Sequence, residues 1–363
     1  MTYDPTADET YYVGYRLDPD RAFDLDRDYD LVGRDKGAIV GGVRRKLGDT
    51  ASAYAENSYD MFGQRQSLTQ TYGVVYTPDA VWTVDTGLEV GTVRDDTIDP
   101  ATGRQRADFD RKAASVSVGY NDEEQGIVAR VRGEARFDDS EDGSRDARSY
   151  LFATGLSWKT SKDWRLIANV DAVLSDSNAG AFHDGDYVEA SFGYAYRPVD
   201  NDRLNALFKY TWLYDLPGID QVGINGDLFS PKQRSHILSA DLIYDLLPWL
   251  SVGGKYGFRI GEVQQRMIDG SETFADWERS SAHLGIVRAD LHIVKEWDLL
   301  LEGRALYMPS AETTDFGALA AVYRHVGQNF KVGVGYNFGR FSDDLRDLTL
   351  DDEGAFLNVV GKF

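Results

Sequence analysis

The stretch NFKVGVGYNFGRF, residues 329 to 341, alternates along its length. Phe330, Val332, Val334, Tyr336 and Phe338 share one parity, and Lys331, Gly333, Gly335, Asn337 and Gly339 share the other. Successive side chains of a strand point to opposite faces, so the pattern predicts a strand with one apolar and one polar face. The same period recurs from end to end, while segments with the 3.6-residue period of a helix are almost absent. Strand cores are predicted at 10–17, 37–47, 50–56, 67–77, 81–93, 111–120, 125–137, 148–159, 163–173, 187–197, 203–214, 235–246, 249–260, 277–294, 297–308, 315–325, 329–339 and 354–363, about 18 in all. Residues 1–9 read as a tail, and 10–363 as one uninterrupted series. In the strand at 203–214, Leu204, Ala206, Phe208, Tyr210 and Trp212 oppose Arg203, Asn205, Lys209 and Thr211, with Leu207 and Leu213 as exceptions.

The connections alternate in length. Short ones (LGDT, TPDA, NDEE, KTSK, PVDND, LLP, KE, VGQ) are each followed by a longer Asp- and Gly-rich one. All nine prolines fall in the tail or the connections, as expected if the intervening segments are hydrogen-bonded ladders that proline cannot join. Tyr76, Trp82, Tyr120, Trp158, Trp164, Tyr196, Trp249, Trp297, Phe330 and Phe363 sit where strands meet the short turns, one aromatic ring at one interface. Strands longer than those of soluble sandwiches, two-sided loop asymmetry and an aromatic girdle predict an all-β chain, a transmembrane antiparallel up-and-down β-barrel. In that fold the apolar parity faces lipid and the polar parity faces water.

Composition narrows the function. A net charge of -21 argues against a nucleic-acid surface, whose affinity rests on basic side chains. The absence of cysteine removes disulfides and thiolate metal sites. No apolar run is long enough for a spanning helix. The first residues, MTYDPTADETYY, lack the charged and apolar regions of a leader.

The last strand, GAFLNVVGKF, places Ala355, Leu357, Val359, Gly361 and Phe363 on the outward parity and ends on an aromatic. It resembles the terminal signal of bacterial outer-membrane proteins, which the barrel assembly machinery recognises. The stretch from GAIVGGVRRKLGDTASAYAE to the terminus is similar to the C-terminal barrel of large Gram-negative surface proteins. The resemblance implies location in the bacterial outer membrane, among its lipids and lipopolysaccharide. It also implies Phe363 as an assembly signal.

On the inward parity stand Arg130, Arg132 and Arg136 around Glu134, then Arg165, Lys209, Lys255, Arg259, Arg288 and Arg304. Asp85, Glu89, Asp171, Glu189, Asp241, Asp290 and Glu302 share that face. Two readings follow: the cations bias a water-filled channel toward anionic or small polar solutes, or they pair with acids on adjacent strands and keep the wall hydrated. A third possibility is a membrane anchor or translocation barrel for an N-terminal portion that precedes this chain. The acidic stretches DPDRAFDLDRDYD and SDDLRDLTLDDE read as solvated surface, with no EF-hand spacing. His183, His236, His283, His292 and His325 show neither HExxH spacing nor triad context, so no catalytic, metal or cofactor site is expected.

Overall fold

The computed structural model describes residues 1–17, 37–60, 65–96, 98, 103–178, 187–201, 203–217, 232–264, 266–268, 272–294, 296–327, 330–339, 341, 345 and 353–361. Among these residues 19 strands belong to one antiparallel sheet in up-and-down order, and two more form a separate hairpin. The described part divides into two compact units, and each is described by itself.

The first unit comprises Met1–Leu156, Asn169–Val188 and Ile219–Ser230. Its strands are β1 (Thr2–Thr6), β2 (Glu9–Leu17), β3 (Gly37–Lys46), β4 (Ala51–Asp60), β5 (Arg65–Tyr76), β6 (Trp82–Asp95), β7 (Phe109–Asp122), β8 (Ile127–Ser140) and most of β9 (Ala147–Trp158). It also includes the later part of β10 (Trp164–Ser177) and the first residues of β11 (Tyr187–Tyr196). The second unit comprises Ser157–Ala168, Glu189–Gly218 and Pro231–Phe363. Its strands are the rest of β10 and β11, then β12 (Leu204–Pro217), β13 (Lys232–Leu247), β14 (Leu250–Gln264), β17 (Glu278–Val294), β18 (Trp297–Met308), β19 (Thr313–Val326), β20 (Phe330–Asn337) and β21 (Gly354–Gly361). The small hairpin is β15 (Arg266–Ile268) with β16 (Glu272–Phe274).

Every predicted strand core has its counterpart, and several strands extend further at the ends away from the short turns, as β12 to Pro217 and β14 to Gln264. Three details depart from the expectation. Residues 2–6, taken as tail, form β1, which pairs with β2 and packs Tyr3 against Tyr11 at a ring separation of 6.5 Å. Pro5 is tolerated there because, among the described pairings, β1 has a neighbour on one side only. The long-loop side also carries two short connections, 61–64 and 309–312. The second reverses direction through a 3-10 turn at Pro309–Ala311 and Glu312 at a φ of 51°, so little chain is needed. Finally, Leu345, within the acidic stretch expected to be solvated, is buried.

In both units the apolar parity is the exposed one. Val116 and Leu88 in the first unit, and Phe208, Leu238, Tyr256, Val287 and Val334 in the second, are all exposed. A surface this rich in exposed aliphatic and aromatic side chains fits lipid and not water. At the short-turn ends Trp82 and Tyr120 pack edge-on with ring centroids 4.8 Å apart, and Trp164 stacks on Tyr194 at 4.6 Å. The second unit carries another aromatic band toward the opposite end, which the sequence reading missed. It includes Tyr210 stacked on His236, His283 against Phe258 and Tyr307, and Arg234 over Tyr214 and Trp277. Phe363 lies outside the described residues.

The two faces make a direct test. Phe208→Arg puts charge on the exposed apolar face and should cost about 2–4 kcal/mol, as for Arg near a bilayer midplane. Leu207→Arg, one residue away on the polar face, should cost less than half as much, measured by urea unfolding in lipid vesicles.

Candidate functional site: the charged polar face

In the first unit, strand register builds the polar face row by row. Tyr54 lies opposite Gly73, Gly73 opposite Gly87, Gly87 opposite Ser115, and Ser115 opposite Glu134. The two glycines leave a slot, and the Tyr54 side chain lies down in it. A Cβ on Gly73 would come within 2.3 Å of the Tyr54 ring. Laid flat, the phenol sends its hydroxyl toward Asp85 Oδ1 at 3.4 Å. Tyr12 does the same over Gly42 and donates to Glu56 Oε2 at 2.7 Å.

Beside Tyr54 lies a cavity of about 150 Å³, lined by Thr71, Asp85, Glu89, Arg130, Arg132 and Glu134 among others. Arg132 and Arg136 both donate to Glu134, at 2.7 and 2.6 Å, while Arg130 Nε donates to Ser117 Oγ at 3.0 Å. Arg111 holds Asp138 through two bonds of 2.8 Å. The predicted cluster of three arginines is therefore assembled, but two of its charges share one carboxylate. Toward the long-loop end, Arg145 reaches the buried Asp95 at 2.6 Å and covers the Phe109 ring at 4.8 Å. In the adjoining loop the Ser144 hydroxyl and backbone N–H donate to Asp142 and hold its carboxyl below the usual range.

The second unit divides its polar parity into two zones. Near the short turns it is charged. Lys255 lies opposite Asp241, Arg288 Nη2 is 3.9 Å from the same carboxylate, and Arg304 Nε donates to Glu302 at 2.5 Å. Lys209, opposite Ser239, is half-buried, and Arg165 is exposed beside Trp164. Farther along, the same face becomes apolar: Leu213, Ile237, Leu284 and Ile286 form a buried cluster with Phe341 and Leu345 from the β20–β21 connection. Gly257 admits Leu345, whose Cδ1 lies 3.0 Å from where a Cβ would stand, and the Phe341 carbonyl accepts from Arg304 Nη1 at 3.4 Å. Arg259 belongs to this covered zone, 1% exposed, with its Nη2 on Ser280 Oγ at 3.0 Å.

Reading residue types found the arginine rows but missed the tyrosines that pack them. The available signal was the placement of glycine on the polar parity, one strand from an aromatic of the same face. Tyr323 over Gly333 and Phe356 over Gly335 repeat the arrangement in the second unit.

No family model and no curated protein matches the chain. Solved structures do resemble it. The ferric enterobactin receptor PfeA from Pseudomonas aeruginosa aligns with a TM-score of 0.53 at 10% identity, over 99% of this chain and 68% of that one. The siderophore receptor PirA from Acinetobacter baumannii gives 0.49 at 8% identity over 97% and 68%. The copper transporter OprC gives 0.47 at 9% identity over 91% of this chain, which spans 64% of OprC.

Overpacking tests the slot. Gly73→Ala should destabilise by about 1–3 kcal/mol, because the new methyl overlaps the Tyr54 ring. The double variant Gly73→Ala, Tyr54→Ala should be no less stable than Tyr54→Ala alone, in the same vesicle unfolding assay.

The likeness to PfeA bears on the fold alone, an all-β antiparallel up-and-down sheet of the large β-barrel class.

Proposed function

We propose that this chain is an outer-membrane channel that passes small polar or anionic solutes along the polar face of its sheet. The observation that carries the reading is the charged wall of the first unit, where Arg130, Arg132, Glu134, Asp85 and Glu89 line a polar cavity, with Arg136 bound to Glu134, while the opposite face is apolar and exposed. Side chains of both signs held at fixed spacing keep such a wall hydrated. Because Glu134 neutralises part of the Arg132 and Arg136 charge, the wall attracts anions only weakly as it stands. The proposed surroundings are outer-membrane lipid and lipopolysaccharide, with insertion by the barrel assembly machinery through the terminal strand and Phe363.

A second reading has an observation of its own. Phe341 and Leu345 cover part of the polar-parity face in the second unit, which suits a barrel that is filled and serves as membrane anchor or translocation unit for a longer protein.

Planar-bilayer recordings separate the two. Glu134→Gln releases two guanidinium groups and should shift reversal potential toward anion preference, whereas replacing Arg130, Arg132 and Arg136 together with Glu should shift it toward cations. Both shifts should shrink from 0.1 M to 1 M salt, as the Debye length falls from about 10 Å to about 3 Å. Folded protein without stable conductance would move the reading to the anchor.

A further inference from the structure

Two histidines that sequence spacing gave no reason to combine meet at one carboxylate. Asp298 is separated from His292 by 6 residues along the chain and from His325 by 27, yet both rings point at it. His292 Nδ1 lies 2.5 Å from Asp298 Oδ1, and His325 Nε2 lies 2.9 Å from Oδ2. We propose that His292, Asp298 and His325 form a binding site for a borderline divalent transition-metal ion, of the class of zinc, nickel or copper(II), on the short-turn edge of the polar face.

The ladder explains the convergence. His292 and Asp298 are register partners across the β17–β18 hairpin, and Asp298 faces Tyr323 on β19. His325 stands two residues beyond Tyr323, on the same face of the sheet. The backbone at each histidine is fixed: His292 N–H donates to the Trp249 carbonyl and His325 N–H to the Glu296 carbonyl, both at 2.8 Å. The two rings are nearly perpendicular, 80° apart with centroids at 6.1 Å, so their nitrogens approach Asp298 from different sides. One donor atom from each of the three residues falls within 4.8 Å of the others, close enough to share a single ion. Both rings are partly exposed, at 48% and 40%, so an ion in water can reach them.

Donor chemistry selects the class of ion. Two imidazole nitrogens and a carboxylate oxygen suit zinc, nickel or copper(II), whereas calcium and magnesium require mostly oxygen. Three protein ligands leave positions for water, so the site is a surface clamp across β17, β18 and β19 and not a closed structural centre. Lys331 Nζ is 2.6 Å from Asp298 Oδ2 and also covers the Tyr323 ring at 4.6 Å. Its ammonium supplies the positive charge at Asp298 when no metal is bound, and it competes with an incoming cation. Lys331 therefore weakens the site, and removing its charge strengthens it. This inference does not depend on solute passage.

The test uses this whole chain, folded in detergent, treated with chelator and titrated with zinc chloride by calorimetry. One equivalent should bind, with calcium chloride giving no signal. His292→Gln and His325→Gln keep hydrogen-bonding side chains and should each weaken zinc binding by roughly tenfold or more. Lys331→Met should tighten it several-fold, and a His236→Gln, His283→Gln double variant on the other face should leave it unchanged. Zinc should also raise the unfolding temperature of the wild type but not of His325→Gln. Absence of saturable binding by folded wild type, undiminished binding by His325→Gln, or binding by Lys331→Met no tighter than wild type would each overturn the proposal.

Discussion

Backbone hydrogen bonding is the constraint on which the rest depends. In hydrocarbon a peptide group finds no water, so each N–H and C=O must be satisfied by another strand. The chain meets this with long ladders: β13 and β14 pair without interruption from Lys232 opposite Gln264 to Asp245 opposite Ser251. Once the ladder is fixed, side-chain parity is fixed with it, since a slip of one residue would turn every Phe, Leu and Tyr of the lipid face inward. The ladders keep register up to Asp245 opposite Ser251 and His292 opposite Asp298, and each shifts register just before its short turn.

Parity decides which groups meet on the polar face, and glycine decides how they pack. Where Gly42, Gly73 or Gly333 interrupts that face, a tyrosine from the neighbouring strand lies along the wall instead of standing across it. Two consequences follow. The phenol rings fill the groove with apolar contact, and the hydroxyls of Tyr12 and Tyr54 are brought to carboxylates, Glu56 and Asp85. Arginines are accommodated similarly: Arg288 runs over Gly253, and a Cβ there would come within 2.8 Å of its Cγ. The polar wall is thus a surface of flattened, partnered side chains.

The strands were legible because period 2 is a property of sequence neighbours alone. Lys331, Gly333 and Asn337 announce the polar face of β20 without reference to any other strand. Side-chain pairing is a property of register, and register is not written locally. Nothing near Arg132 in sequence says that Tyr54 shares its cavity, nothing near His292 says that His325 approaches the same carboxylate, and Asp95 and Arg145 are 50 residues apart. The alternation also misleads where a connection packs onto the polar-parity face. Leu213 looked like an exception within β12, yet it joins Ile237, Leu284 and Ile286 beneath Phe341 and Leu345. Several apolar residues on the wet parity of adjacent strands mark the extent of the cover, whereas Leu207, a single exception, stays exposed.

If the polar parity is wet and the apolar parity lies in lipid, two adjacent alanines on β7 must differ in their access to water. Ala113 lies on the cavity side with Ser115 and Ser117, whereas Ala114 shares the exposed face with Val116. The chain has no cysteine, so Ala113→Cys and Ala114→Cys each introduce a single thiol. In liposomes Ala113→Cys should react with a water-soluble maleimide, while Ala114→Cys should resist it and, once labelled in detergent with a fluorophore and reconstituted, be quenched by spin-labelled lipid. Ready labelling of Ala114→Cys with protection of Ala113→Cys would mean that the two faces are assigned the wrong way round.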